Sequence, residues 1–330
     1  HYDSEVKGMS VLKPGEADAS VISIPGTALG VATAVDGNPR YSRIDPYRGG
    51  ALAVCESIRN VAAVGAVPVA LTDCLNFGNP EDPHVFHDFT ETVRGIGDAA
   101  RTLWAYGTRE PVPVVSGNVS FYNESSSGSA IPPSPVVACY GLLEDYSVAV
   151  SLDLKRPGSD LILVGKRRPG LGGSALMAAA GLGGEGRLPA LDLAEERAAI
   201  HAVTEIIRRG FALSCHDISE GGLFAALAEM VVGGWGTGRV GAEVDLSVDT
   251  GSSLVDVLFS ECGGFVVETP RSLRSEVLGI CDGFETAAQV VGKSVDGCGL
   301  ALKINGETAI RLEASEMREA WLEPLERAVR

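Results

Sequence analysis

Oxygen-bearing side chains interrupt otherwise apolar segments of this 330-residue chain at a few places, and chemistry would have to be done there. The first is Asp36-Gly37-Asn38, directly after a strand-like run. Asp-Gly is a common turn dipeptide, so a hairpin turn competes with a ligand role. The second lies in residues 51–63, apolar nearly all round as a buried helix is. Glu56 and Asn60 are four apart there and share one face. A carboxylate in such a wall needs a compensating cation. That cation is either Arg59 or Arg43 in a salt bridge, or Mg²⁺, which takes hard oxygens and completes its shell with water and phosphate.

Two further segments carry a strand straight into polar residues, a common place for ligand groups in α/β proteins. One, residues 69–81, holds Asp73, Asn76, Gly78 and Asn79; the other, residues 113–124, holds Ser116, Gly117, Asn118 and Ser120. Small residues in the second let backbone approach a ligand, with Asn and Ser oxygens alongside. A fifth segment, residues 214–223, places His216, Asp217, Ser219, Gly221 and Gly222 between a strand and a helix, either as a metal-phosphate corner or as a plain helix cap by Ser219. Leu171-Gly172-Gly173-Ser174 also opens a helix and is weak evidence for an anion site. His84 and His87 have metal spacing but no third ligand nearby, and a helix start after Pro83 explains them. Neither a P-loop nor a Gly-x-Ser-x-Gly elbow is present.

The elements that must position these groups alternate, so the class is mixed α and β. Strands are expected at 21–24, 29–35, 67–71, 112–115 and 136–142, with helices at 45–65 and 82–106 between them. The Pro-rich polar stretch 123–135 reads equally as a surface loop or as a loop gating a substrate. After a boundary near 148, strands are expected at 161–164, 211–215, 240–246, 264–268, 287–291 and 300–304, and helices at 174–180, 193–209 and 223–232. A last helix at 316–329 sets Met317, Trp321, Leu325 and Val329 on one face, which reads as a core stripe, with a kink at Pro324.

Composition bounds the function. Apolar residues at 45% exclude a disordered chain. With 27 Lys and Arg against 43 Asp and Glu, a net charge of −16 argues against a nucleic-acid track, so any phosphate must be held locally by backbone N–H groups, single cations or Mg²⁺. Seven cysteines without a Cys-x-x-Cys pair fit reduced, buried thiols. The first residues have no basic-then-apolar leader pattern and no apolar run reaches membrane-span length, so the expectation is a cytoplasmic protein with no membrane partner.

Thr72–Glu81, Ser116–Glu124 and His216–Leu223 together resemble phosphoribosylformylglycinamidine (FGAM) synthase, its synthetase subunit, within the aminoimidazole ribonucleotide (AIR) synthetase-like superfamily. The His-Asp-x-Ser-x-Gly-Gly-Leu element is shared with other ATP-binding relatives, whereas the first two are much more particular to the synthase. The resemblance runs from about Tyr2 into the C-terminal region and implies a fold that is α/β and α+β, a two-domain AIR synthetase-like unit. Residues 1–148 would form an N-terminal domain that pairs into a β-barrel with a like domain, and residues 149–330 a C-terminal α+β domain. The chain resembles the second of two tandem copies, as a fragment or as a subunit needing a partner. The partners implied are the missing first half and a glutaminase; alone, the chain is expected to form a homodimer and to be inactive.

Position by position, the resemblance makes Asp73 and Gly117 ATP contacts, Asn118 a Mg²⁺ ligand and Ser120 a contact to the ribonucleotide. For a second, retained nucleotide such as ADP it implies Asp36, Glu56, Asn60 and Asp217 as Mg²⁺ ligands, with Ser219 beside the nucleotide. The reaction implied is ATP-dependent amidine formation from formylglycinamide ribonucleotide and glutamine-derived ammonia, in purine biosynthesis. Alternatives are a self-contained homodimeric relative, AIR synthetase-like, and a non-catalytic nucleotide-binding scaffold.

Overall fold

The computed structural model describes residues 7–13, 15–126, 128–182, 185–233, 239–248 and 253–329, with backbone only at 325–327. Two sheets organise it. The first holds β1 (Ser10–Leu12), β2 (Ser20–Ser23), β3 (Gly30–Asp36), β4 (Val67–Asn76), β5 (Val114–Ser120) and β6 (Ser134–Leu143), in the order β1-β2-β3-β6-β4-β5. Among the described residues of this sheet, only the β4–β5 pair is parallel. Helices α1 (Pro39–Ile44), α2 (Pro46–Ala63) and α3 (Pro83–Thr102) follow β3 and β4. Asn38, Asp45 and Asp82 cap the three N-termini, each with Pro in the first turn, where its missing N–H costs nothing.

The second sheet comprises β7 (Asp160–Val164), β8 (Ser214–Asp217), β9 (Val240–Leu246), β10 (Phe265–Thr269), β11 (Ala288–Asp296), β12 (Gly299–Ile304) and β13 (Glu307–Glu313), ordered β13-β12-β9-β11-β7-β10-β8. Its helices are α4 (Ala175–Ala179), α5 (Leu193–Arg208), α6 (Gly222–Val232), α7 (Leu254–Phe259), α8 (Arg274–Gly283) and α9 (Ala314–Val329). One buried cluster runs from α2 (Ile58, Val61) through α5 (Val203, Ile206) to β7 (Ile162, Val164), so a helix that is apolar all round has a wall on every side. No helix among the described residues is long and apolar enough to cross a membrane, and all seven cysteines are free.

Several expectations change. Asp36-Gly37-Asn38 is no hairpin: Asp36 ends β3 and the Asn38 side chain accepts from Arg40 N at 3.0 Å to start α1. The polar residues after position 71 are not a turn but the second half of β4, because β6 pairs with it on one side and β5 on the other. Likewise β5 runs on through Ser120. The strand expected at 211–215 sits at Ser214–Asp217, and β1, β13, α7 and α8 went unread. The α9 stripe is not core throughout: Met317 is 8% exposed, but Trp321 is 42% and Val329 79%, and the Leu325 side chain lies outside the described residues. Met317 and Trp321 instead line a cavity of about 540 Å³ shared with α6, and the helix continues through Pro324.

Candidate functional site

The register of the first sheet puts Asp36, Val137, Asp73 and Gly117 in one row across β3, β6, β4 and β5. Paired residues point to the same face, and Val137 is buried against the helices, so Asp36 and Asp73 lie on the helix-covered face, about 10 Å apart. The two strand ends that sequence treated separately therefore share an edge.

At the Asp36 end, α2 presents Glu56 and Asn60 one turn apart. Asn60 Nδ2 donates to Asp36 Oδ2 at 2.5 Å. The Asp36 and Glu56 carboxyls interact directly, and each bears on the other's ionisation. Burial first, and then mutual repulsion, push Glu56 well above the ordinary carboxylate range; burial also raises Asp36. Asn60 Oδ1 is buried without a hydrogen-bond partner. An unpaired amide oxygen beside two carboxyl groups that can ionise together only with a cation is a donor set fitting a hard divalent ion.

Arg59 closes the other side. It is 2% exposed, with Nη1 at 3.0 Å from Glu196, Nε at 3.4 Å from Asp217 and Nη2 at 3.9 Å from Glu56. Burial opposes its charge, but Glu196, Asp217 and Glu56 outweigh it and keep the guanidinium ionised. The salt-bridge reading of Glu56 is thus realised in part, since Arg59 binds two other carboxylates more closely. Asp217 joins the group through Arg59.

On β8, burial and then Asp18 raise Asp217. Asp18 also takes the Asp217 N–H at 2.9 Å and lies 2.6 Å from His216 Nδ1. His216 Nε2 lies 2.7 Å from Glu229, so despite burial the imidazolium is held charged by two carboxylates. The Asp18, His216 and Asp217 side chains come within 4.8 Å of one another, but an imidazolium has no lone pair for a metal, so they form an ion-pair cluster. Ser219 does not cap α6, whose N-cap is Gly221; its Oγ donates to Asp217 Oδ1 at 3.1 Å.

At the far end of the row, burial raises Asp73, and its carboxylate lies over Gly117. A Cβ on Gly117 would meet Asp73 Oδ1 at 2.3 Å, so only glycine allows this approach. Asn118 and Ser120 follow on an exposed edge strand, where alternation turns both side chains to the opposite face from Asp73. Ser120 is fixed through its backbone O, which accepts from Asn123 Nδ2 at 2.9 Å.

Comparison with known proteins follows this two-sheet division. The model for the AIR synthase related protein, N-terminal domain, matches residues 16–143, and that for its C-terminal domain matches residues 156–305. The chain belongs to the AIR synthase related family. Within that family it is 44% identical over 334 residues to phosphoribosylformylglycinamidine synthase subunit PurL of Methanothrix thermoacetophila, covering 100% of this chain and 42% of the relative. For PurL of Moorella thermoacetica the identity is 42% over 325 residues, covering 98% of this chain and 42% of the relative. The chain thus spans about two-fifths of the length of these curated relatives. Among solved structures, Thermotoga maritima PurL complexed with FGAR superposes with TM-score 0.74 at 23% identity, covering 92% of this chain and 48% of that one. The HypE–HypF complex contains a chain matching with TM-score 0.64 at 18% identity, covering 90% of this chain and 93% of that one. At these identities both show the AIR synthase-like fold.

Sequence reasoning missed three members of this cluster. Arg59 entered only as a rival partner for Glu56, although an arginine inside an apolar helix signals a buried counter-charge. Asp18 and Glu196 gave no signal, because their role comes from segments folded against them.

Proposed function

We propose that this chain is the second half of the tandem synthetase core of FGAM synthase, with its domain division near residue 148. It would hold Mg²⁺ and adenine nucleotide for the conversion of formylglycinamide ribonucleotide and ammonia to the amidine. The observation carrying this reading is the Asp36–Glu56–Asn60 cluster with its unpaired Asn60 oxygen, in a chain of net charge −16. Such a chain binds polyphosphate most readily through metal. Supporting it, T. maritima PurL has been observed complexed with ATP, with ADP and with FGAR, and within PurLQS.

Asp36, Glu56, Asn60 and Asp217 would hold Mg²⁺ of a retained nucleotide, with Ser219 beside it. Asp73 and Gly117 would contact the reacting ATP where it rounds the β5 edge, with Asn118 at its metal and Ser120 at the ribonucleotide on the opposite face of that strand. Bound Mg²⁺ supplies charge neutralisation for the phosphates, and the chain's own groups orient the reactants. The test is calorimetric titration with Mg²⁺ and ADP or ATP, followed by amidine formation with the missing half and an ammonia source. Absence of nucleotide binding to the chain overturns the reading. Gly117→Ala should leave the fold intact on this exposed edge yet displace the Asp73 carboxylate. We expect turnover in the reconstituted enzyme to fall about tenfold to a hundredfold. Unchanged kinetics would remove Asp73 from the site.

The uncovered face of the first sheet fits a partner sheet. Val35 is 61% exposed, Tyr140 39% and Leu142 47%, all on the face away from the helices. We propose that the missing half covers this face, with a second copy taking its place when the chain is alone. Light scattering should report a dimer, and the double variant Val35→Asp, Leu142→Asp a monomer. A wild-type monomer at micromolar concentration argues against pairing.

A self-contained relative is the second reading, favoured by the match to 93% of the chain in the HypE–HypF complex. It predicts ATP turnover by this chain without the missing half.

A further inference from the structure

We infer that Glu261 is the positioning residue that holds the nucleotide corner in shape across both domains. This inference rests on the functional reading above. Glu261 belongs to the segment between α7 and β10, which carries no recognised motif, and it is 5% exposed. A single oxygen, Oε1, accepts from two backbone amides: Ala175 N at 2.7 Å, at the start of α4, and Gly221 N at 2.7 Å, at the start of α6. The other oxygen, Oε2, accepts from the buried Tyr41 hydroxyl on α1, in the first domain.

Both loops that Oε1 gathers are also gripped from α1. Arg40 Nε donates to Gly173 O at 2.9 Å, and its Nη2 pairs with Glu220. The Gly221 end fixes the loop presenting Ser219, since Gly222 N donates to Ser219 O at 3.0 Å and Ser219 Oγ reaches Asp217. Two residues beyond Glu261 the same segment abuts the metal side of the corner. A Cβ on Gly263 would meet Glu196 Oε1 at 2.5 Å and Arg59 Nη1 at 3.0 Å, so the backbone there packs directly on the ion pair that holds Asp217. Glu261 touches no donor of the proposed metal cluster and acts through the loops it joins.

Because one oxygen serves both amides, the hydrogen-bond pattern makes a distinctive demand. Gln keeps that oxygen and turns its NH₂ toward Tyr41, whose oxygen can accept. Leu keeps the volume and loses every acceptor. Calorimetric titration of the full chain with Mg²⁺ and ADP should therefore show Glu261→Leu weakened about tenfold or more, and Glu261→Gln restored to within about threefold of wild type. Hydrogen exchange at the Ala175 and Gly221 amides, measured without nucleotide, should be faster in Glu261→Leu and near wild type in Glu261→Gln. Wild-type affinity in folded Glu261→Leu overturns the inference, as does failure of Gln to rescue. If wild type itself binds no nucleotide, the functional reading falls and takes this inference with it.

Discussion

Arg59→Met is expected to destabilise the protein by about 3–5 kcal/mol, the cost of breaking a buried ion pair from one side. Met keeps the apolar stem of the side chain, so lost packing is the smaller part of the effect. What remains is charge: Glu196 and Asp217 lose a partner at 3.0 and 3.4 Å, and Glu56 a weaker one at 3.9 Å. Glu196 and Asp217 have no bulk water to turn to, being 7% and 2% exposed. They must take up protons or open the domain contact between α2 and β8. Urea unfolding should show a lower midpoint with an unchanged slope. Adding Glu196→Gln to Arg59→Met should recover part of the loss, because one orphaned carboxylate has gone. A midpoint shift worth less than about 1 kcal/mol would mean that the guanidinium is dispensable.

Asp36→Asn and Asn60→Leu should each lower the affinity for Mg²⁺ with ADP by about a hundredfold or more, since the first turns an anionic ligand into a neutral amide and the second removes an oxygen donor. Their effects on the ligand-free protein should differ. Asp36→Asn relieves a carboxyl that burial pushes toward the protonated form, so stability should hold or rise. Asn60→Leu removes the donor at 2.5 Å from Asp36 and should lower it. Binding lost while stability is kept marks a ligand site; the two falling together would mark a structural network. As a control, Glu144→Gln, remote in sequence and solvent-facing, should bind as wild type. Equal affinity in Asp36→Asn and wild type would dissolve the metal assignment.

Much of this was legible in the chain because the signals are local. Asp45-Pro46 and Asp82-Pro83 announce α2 and α3, since a capping carboxylate followed by proline satisfies a helix start with neighbouring atoms alone. The four-residue spacing of Glu56 and Asn60 places both on one helical face whatever surrounds them. Strand limits were harder to read. The polar run at 72–76 looks like a turn until β5 and β6 arrive to pair with it, and those partners lie 44 and 64 residues or so away by register, as Asp73 with Gly117 and Val137 shows. The α9 stripe failed for a similar reason: periodicity says that one face is apolar, not that anything covers it.

The amino-acid sequence by itself determined the alternation of elements, the buried character of α2, the acidic balance that favours metal over basic side chains, and the oxygen-bearing residues. Only the tertiary structure decided that Asp36 and Asp73 share one row, that Asn118 and Ser120 face away from Asp73, and that Arg59 is claimed by Glu196 and Asp217, 137 and 158 residues distant. The physical reason is one of range. Capping and helical spacing are satisfied within a turn of chain, whereas register and the neutralisation of a buried charge depend on whichever distant segment supplies the missing partner.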